Sequence, residues 1–260
     1  MKKLLKVFAL AALMIMGGQA MAQTRGAMFL SASLPMKDYA DFDGFDDLAL
    51  TSMDLDADDG GAGVGFNVGF KWYYNVGVRG LGVMLSLDGI YNGPNSDLKT
   101  AYRNAESQGG NQWIGGSYTY NATPKYINVP LMLGVNYIYH FNSNFGIYAE
   151  AGAGANLRFI TQMETVGKGN LLGVETQVTR TQKYDNAFSF AYQVGAGIEV
   201  ARNLVVGVSF YDLGNAPVKG DLTVKTKTLN DNVTNTTGPD LVEHGTVRPT
   251  MVLARIGFSF

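Results

Sequence analysis

Thr250-Met-Val-Leu-Ala-Arg-Ile-Gly-Phe-Ser-Phe260 closes the chain and alternates in steps of two. Thr250, Val252, Ala254, Ile256, Phe258 and Phe260 share one face of an extended strand. Met251, Leu253, Arg255, Gly257 and Ser259 share the other. A strand that stops on an exposed aromatic residue makes poor sense in water. It makes good sense where a bilayer covers one face and an aromatic belt marks the interface.

Seven further segments carry the same period: 27–34, 63–74, 81–91, 126–139, 145–159, 188–200 and 204–210. In 63–74, the clearest, Val64, Phe66, Val68, Phe70, Trp72 and Tyr74 oppose Gly65, Asn67, Gly69 and Lys71. The connections alternate in length. Residues 75–80, 140–144 and 201–203 are short turns, whereas 35–62, 93–125, 160–187 and 214–247 are long. Eight strands with short turns on one rim and long loops on the other predict an all-β, antiparallel, up-and-down transmembrane barrel. The short turns and both termini are then periplasmic and the four long loops extracellular.

A soluble eight-stranded barrel also alternates, with its apolar face turned inward. Two features point the apolar face outward. No charge interrupts that face in the last seven segments, where one Arg or Lys at mid-bilayer would cost roughly 2–4 kcal/mol. The opposite face is mostly Gly, Ala, Asn and Ser, too small and too weakly charged for a water-exposed surface. It suits a narrow lumen. Trp72, Tyr74, Tyr137, Tyr139, Phe145, Phe258 and Phe260 gather at the short-turn rim as an aromatic girdle.

The first 22 residues read as a cleaved signal peptide. Lys2, Lys3 and Lys6 precede an apolar run over 7–16, and Ala20-Met-Ala22 supplies the cleavage site. Ten apolar residues are too few for a membrane-spanning helix, which needs about 20. The barrel domain then covers 23–260. Without the signal lysines 17 basic residues face 22 acidic ones, a net charge of about −5 that argues against nucleic acid as a partner. The chain has no cysteine, so disulfides and thiolate chemistry are excluded.

Three stretches resemble a known family: Tyr126-Ile-Asn-Val-Pro-Leu-Met-Leu-Gly134, Gly195-Ala-Gly-Ile-Glu199 and Ile256-Gly-Phe-Ser-Phe260. They are similar to the outer-membrane β-barrel domain family, the small porin-family or PorT-like barrels of Gram-negative bacteria. The resemblance extends in layout over 23–260. It implies an outer-membrane location and an eight-stranded barrel, and it names no activity.

The alternation turns six charges into the lumen: Lys71, Asp88, Glu150, Arg158, Glu199 and Arg255. Counted from the short turns, Lys71, Glu150, Glu199 and Arg255 fall at similar low levels. Asp88 falls higher, and Arg158 near the outer rim. Arg255 needs Glu150 or Glu199 as its partner. An eight-stranded barrel is just wide enough for its side chains to fill, so these charges are expected to form a salt-bridged plug. A gated ion path, with the pairs exchanging partners, is the alternative. Pro130 faces the lumen and marks a bulge or a break in strand pairing.

The first long loop carries nine aspartates, and Asp54-Leu-Asp56-Ala-Asp58-Asp59-Gly60 resembles the start of a calcium loop. Its glycine is one place late, and Gly65 stands where a bidentate Glu belongs, so the expectation is a solvated acidic loop without metal. Stretches 174–181 and 222–228 alternate within other loops and predict hairpins continuing beyond the membrane, with edges open to strand addition. Two histidines, His140 and His244, fall in different loops, which leaves little for a catalytic triad. The expected protein is a monomeric, cofactor-free, non-enzymatic barrel with a structural or surface-interaction role. A narrow channel is the second reading and an outer-membrane enzyme the third. Its expected partners are outer-membrane lipid and lipopolysaccharide, the barrel-insertion machinery through the C-terminal strand, and an envelope or extracellular protein.

Overall fold

The computed structural model describes residues 24–36, 39–41, 61–96, 99–100, 103–104, 106–107, 114–171, 174–228, 233–237 and 246–260. The signal segment, Asp54, Asp56, Asp58 and His244 lie outside them. The strands in chain order are β1 (Thr24–Pro35), β2 (Ala40–Asp41), β3 (Ala62–Asn75), β4 (Leu81–Pro94), β5 (Ile114–Ala122), β6 (Tyr126–His140), β7 (Phe145–Ile160) and β8 (Met163–Leu171). They continue with β9 (Val174–Tyr184), β10 (Ala187–Val200), β11 (Leu204–Asp212), β12 (Ala216–Pro217), β13 (Gly220–Thr228), β14 (Val233–Thr237), β15 (Thr246–Val247) and β16 (Thr250–Ser259).

Eight of them close a barrel in the order β1-β16-β11-β10-β7-β6-β4-β3. These are the eight alternating segments of the sequence, with ends shifted by three residues at most; seven are longer than read and the last, β16, stops one residue short of Phe260. Every stave is antiparallel to its neighbours, and β1 closes on β16 from Ala27↔Ser259 to Pro35↔Met251. Backbone bonds between Gly26 and Phe260, at 3.0 and 2.9 Å, carry that ladder to the last residue. Closure satisfies the edge groups that an open sheet would leave bare in lipid.

The side chains divide as the alternation predicts. Leu133, Phe190, Ile256 and Phe258 point outward and are exposed, whereas Lys71, Asn67, Met84, Asn128 and Leu253 are fully buried. Pro130 interrupts pairing with β4: the ladder joins Leu87 to Leu131 and Ile90 to Asn128 and skips what lies between. The register resumes unshifted, so this is a gap rather than a bulge. On the other side Pro130 stays in step opposite Asn156.

Two smaller sheets stand at the long-loop end. β12, β15 and β2 form a three-stranded patch across the barrel mouth. β14-β13-β9-β8-β5 form a five-stranded sheet. It contains the predicted stretches 174–181 and 222–228, paired as β9 with β13. Its strands grow from the loops that join β4 to β6, β7 to β10 and β11 to β16, so the sheet extends one side of the barrel wall.

Small residues make room inside the wall. Gly197 and Gly207 face each other across β10 and β11, and a Cβ on Gly197 would stand 2.7 Å from the Tyr148 ring. Tyr148 therefore lies flat against a glycine pair that leaves space for it. The turn between β10 and β11 is less well matched. Ala201 and Arg202 both have positive φ, 50° and 62°, and Asn203 N–H donates to Val200 at 3.2 Å. Two left-handed central residues are what a type I′ hairpin needs and what Gly or Asn provides most easily. Left-handed φ costs a side chain-bearing residue about 1–2 kcal/mol, and glycine loses about 0.4–1 kcal/mol through its freer unfolded chain. Arg202→Gly should therefore stabilise the barrel by about 0.5–1 kcal/mol. Urea unfolding in detergent micelles measures this, and a destabilised variant would contradict the account.

Candidate functional site

The lumen is filled in tiers. At the short-turn rim Arg25 Nη2 lies 2.5 Å from Glu199 Oε2, and His140 Nε2 lies 3.3 Å from Glu199 Oε1. Glu199 is buried, while Arg25 and His140 keep part of their surface in solvent. The Arg25 guanidinium also stands over the Tyr73 ring, 5.9 Å from its centroid.

Above this rim sits the central cluster, made of Lys71 from β3, Asp88 from β4, Glu150 from β7 and Arg255 from β16. All four side chains are about 1% exposed or less. Glu150 Oε1 accepts from Lys71 Nζ and, at 3.3 Å, from Arg255 Nη1. Arg255 Nη2 reaches Asp88 Oδ1 at 3.5 Å and also donates to the Tyr211 hydroxyl. Neutral donors complete the carboxylates. Tyr211 Oη donates to Asp88 Oδ2 at 2.9 Å and Asn67 Nδ2 to Asp88 Oδ1 at 3.0 Å. Tyr73 Oη donates to Glu150 Oε2 at 3.4 Å. Phe29 offers its ring to both cations, at 5.6 Å from Lys71 and 5.7 Å from Arg255. Two cations and two anions compensate one another away from bulk solvent.

Amides and hydroxyls occupy the next tier. Ser33 pairs with Asn92, and Asn156 Nδ2 donates to Asn128 Oδ1 at 3.0 Å. Asn128 Nδ2 in turn donates to Tyr39 Oη at 2.9 Å. Tyr39 comes from the first long loop, and burial pushes its phenol up, so it stays neutral. Its ring meets Tyr126 edge-on at 5.1 Å. With Ile90, Met132, Leu213, Val218, Val247, Met251 and Leu253 these rings form an apolar stopper at the barrel mouth. Arg158, also buried, donates from Nη1 to the Val247 carbonyl at 2.6 Å and so ties β7 to β15.

All six expected lumen charges are buried inside the barrel, but their grouping differs from a count along the strands. Asp88 joins Arg255 in the central cluster instead of standing above it. Glu199 leaves that group for Arg25 and His140 at the rim. Of the two partners open to Arg255, Glu150 is the one it meets. Strand tilt and stagger explain the difference, because residues equally far from their turns are not level in a tilted barrel. Arg25 lies two residues before the predicted first strand and Tyr211 one residue past the predicted seventh. Both keep the lumen-facing parity of their strands, so lengthening each would have found them. Tyr39 and Val247 carry no periodic signal.

The aromatic residues of the short-turn end point outward. Tyr74, Tyr137, Tyr139, Phe145, Phe258 and Phe260 are exposed. Trp72 is half-buried against Phe70, which also meets the Phe260 ring at 6.4 Å.

The sequence profile of the outer membrane protein beta-barrel domain matches residues 8–234. The chain belongs to that family. Its place is accordingly the outer membrane. Similar solved structures include Ail, the attachment invasion locus protein of Yersinia pestis, at 15% identity over 92% of this chain and 100% of that one, with a TM-score of 0.37. OprG from Pseudomonas aeruginosa is 12% identical over 92% of this chain and 96% of its own, with a TM-score of 0.37. A major outer membrane protein from Thermus thermophilus is 15% identical over 90% and 98%, with a TM-score of 0.34. No curated protein matches.

In this outer-membrane barrel the central cluster is tolerable only because its charges balance. Removing one partner of a buried pair leaves an uncompensated charge and typically costs about 3–5 kcal/mol. Glu150→Gln would leave Lys71 and Arg255 facing Asp88 alone, and should destabilise by that amount in urea unfolding from micelles. Adding Lys71→Met should recover much of the loss. A single variant within about 1 kcal/mol of wild type would mean the cluster is not holding the lumen together.

Proposed function

We propose that this protein is a sealed outer-membrane barrel that works at the cell surface through its loop-borne sheet, and that it neither conducts nor catalyses. The stopper carries this reading. Tyr39, Leu213 and Val247, all outside the barrel staves, pack with Ile90, Met132, Met251 and Leu253 across the mouth. A buried, charge-balanced ion cluster lies beneath them. An open channel would need a continuous wet path past both tiers.

In this orientation the short turns and both termini face the periplasm, the aromatic ring at that end marks the interface, and the long loops stand outside. The wall takes lipid as its partner, and the strand ending in Phe260 offers itself to the barrel-insertion machinery. The protein acts as a monomer without a cofactor. β14 and β5 are the outer members of the five-stranded sheet; on β5 the Tyr120 N–H already donates to Glu106 Oε1 at 2.7 Å, so β14 is the edge offered to a strand from an envelope or extracellular protein.

A narrow ion path is the second reading, favoured by one observation. Arg255 is shared between Glu150 at 3.3 Å and Asp88 at 3.5 Å, so the cluster has two arrangements open to it. Planar-bilayer recordings separate the two. Wild type, Glu150→Ala and Arg255→Ala should all be silent if the barrel is sealed. Resolved unitary currents in wild type would overturn the sealed reading.

A further inference from the structure

Seven charged side chains are buried among the described residues, and six of them have an ionic partner. Lys71, Asp88, Glu150 and Arg255 compensate one another in the central cluster. Glu199 is held by Arg25, and Asp212 by Arg248 at 2.9 Å. Arg158 is the seventh. It is 1% exposed and meets no carboxylate among the described residues. A guanidinium keeps its proton inside a protein, so burial does not discharge it. A buried charge without a counter-charge is among the costliest arrangements a fold can hold.

The Arg158 guanidinium is only half engaged. Nη1 donates to the Val247 carbonyl at 2.6 Å, whereas Nε and Nη2 are buried with no acceptor among the described residues. The N–H groups of Nε and Nη2 point the same way. That edge is the one that meets the two oxygens of a carboxylate in parallel hydrogen bonds.

The surroundings are polar but uncharged. Asn128 stands opposite Arg158 on β6, and Ala187 stands opposite it on β10. Asn156 lies two residues earlier on the same face of β7, and its Oδ1 is likewise buried without a donor. Tyr39 joins the niche from the first long loop, its hydroxyl accepting from Asn128 at 2.9 Å. A water molecule could bridge Arg158 to Asn156, but it would bring no charge. One monoanion balances the site, whereas a phosphate dianion would overcompensate it. Chloride is a single acceptor centre facing a fork with two N–H groups.

The cover over this niche is lightly laced. β15 pairs through Thr246 and Val247 alone, with Ala216 and Pro217 on one side and Ala40 and Asp41 on the other. Such a patch can open locally without parting the staves.

We propose that the Arg158 niche beneath the mouth stopper binds a small monocarboxylate anion, whose two oxygens accept from Nε and Nη2. The carboxylate compensates the one buried cation that the described residues leave unbalanced. This site goes beyond the surface role described above and does not depend on it.

The test uses the full barrel in detergent micelles at neutral pH, with sodium acetate replacing sodium chloride at constant ionic strength. Urea unfolding is the readout, because an anion bound only by the folded barrel raises the midpoint with the logarithm of its concentration above Kd. Wild type should gain steadily, and Arg158→Met should not respond. Arg158→Lys keeps the charge without the fork and should weaken the apparent affinity by about tenfold or more. Ala187→Asp sets a carboxylate directly across from Arg158, with Cβ atoms about 4.5–5.5 Å apart. It should raise the midpoint in chloride and abolish the response to acetate. Line broadening of carbon-labelled acetate, seen with wild type and absent with Arg158→Met, reads binding without unfolding. Heat-modifiable gel mobility verifies that each variant is folded. A wild-type barrel indifferent to acetate means that water or the protein already satisfies the free edge, and overturns the proposal. An equal response in Arg158→Met marks a general salt effect and overturns it too, as does an undiminished response in Arg158→Lys.

Discussion

Every backbone N–H and C=O within lipid must find its partner in the protein, and here the ladder between β1 and β16 completes that requirement. The chain's last strand lies beside its first, and the bonds between Gly26 and Phe260 run to the final residue. Closure forces the rest. Once eight staves are joined, one face of every strand belongs to lipid and the other to a narrow enclosed space. That space is too small to hold bulk water, so charged side chains entering it must satisfy one another.

The interior answers with compensation at two levels. At the rim Glu199 is held by Arg25 and His140, partly in contact with solvent. In the centre Lys71, Glu150, Arg255 and Asp88 neutralise one another while Tyr73, Tyr211 and Asn67 complete the carboxylates. Buried ion pairs contribute little net stability beside apolar packing of similar volume, but breaking one is costly. The cluster therefore fixes the strands' mutual arrangement more than it strengthens the fold. Above it the apolar stopper works differently, by excluding water, and it draws on loop residues that the staves do not contain.

The barrel was legible because its signal is local. Alternation depends only on the pleat, so Val64 to Tyr74 or Ile127 to Tyr137 announce their outward faces from the chain alone. The short turns and the lumen-facing charges followed from the same parity. The partners of those charges did not. Arg255 meets Glu150 and Asp88, which lie 105 and 167 residues away in sequence, and which carboxylate it reaches depends on strand tilt. Tyr39 and Val247 were silent for another reason. They sit in loops with no period, and their burial is created by the mouth they close.

Sequence alone determined the class of this protein, the position of its eight staves and the face each turns to lipid, because each is a property of consecutive residues. Tertiary structure decided which charges compensate one another, that loop residues stop the mouth, and that a five-stranded sheet of loop-borne strands extends one side of the wall. These depend on register, tilt and closure, which exist only when distant strands are brought together.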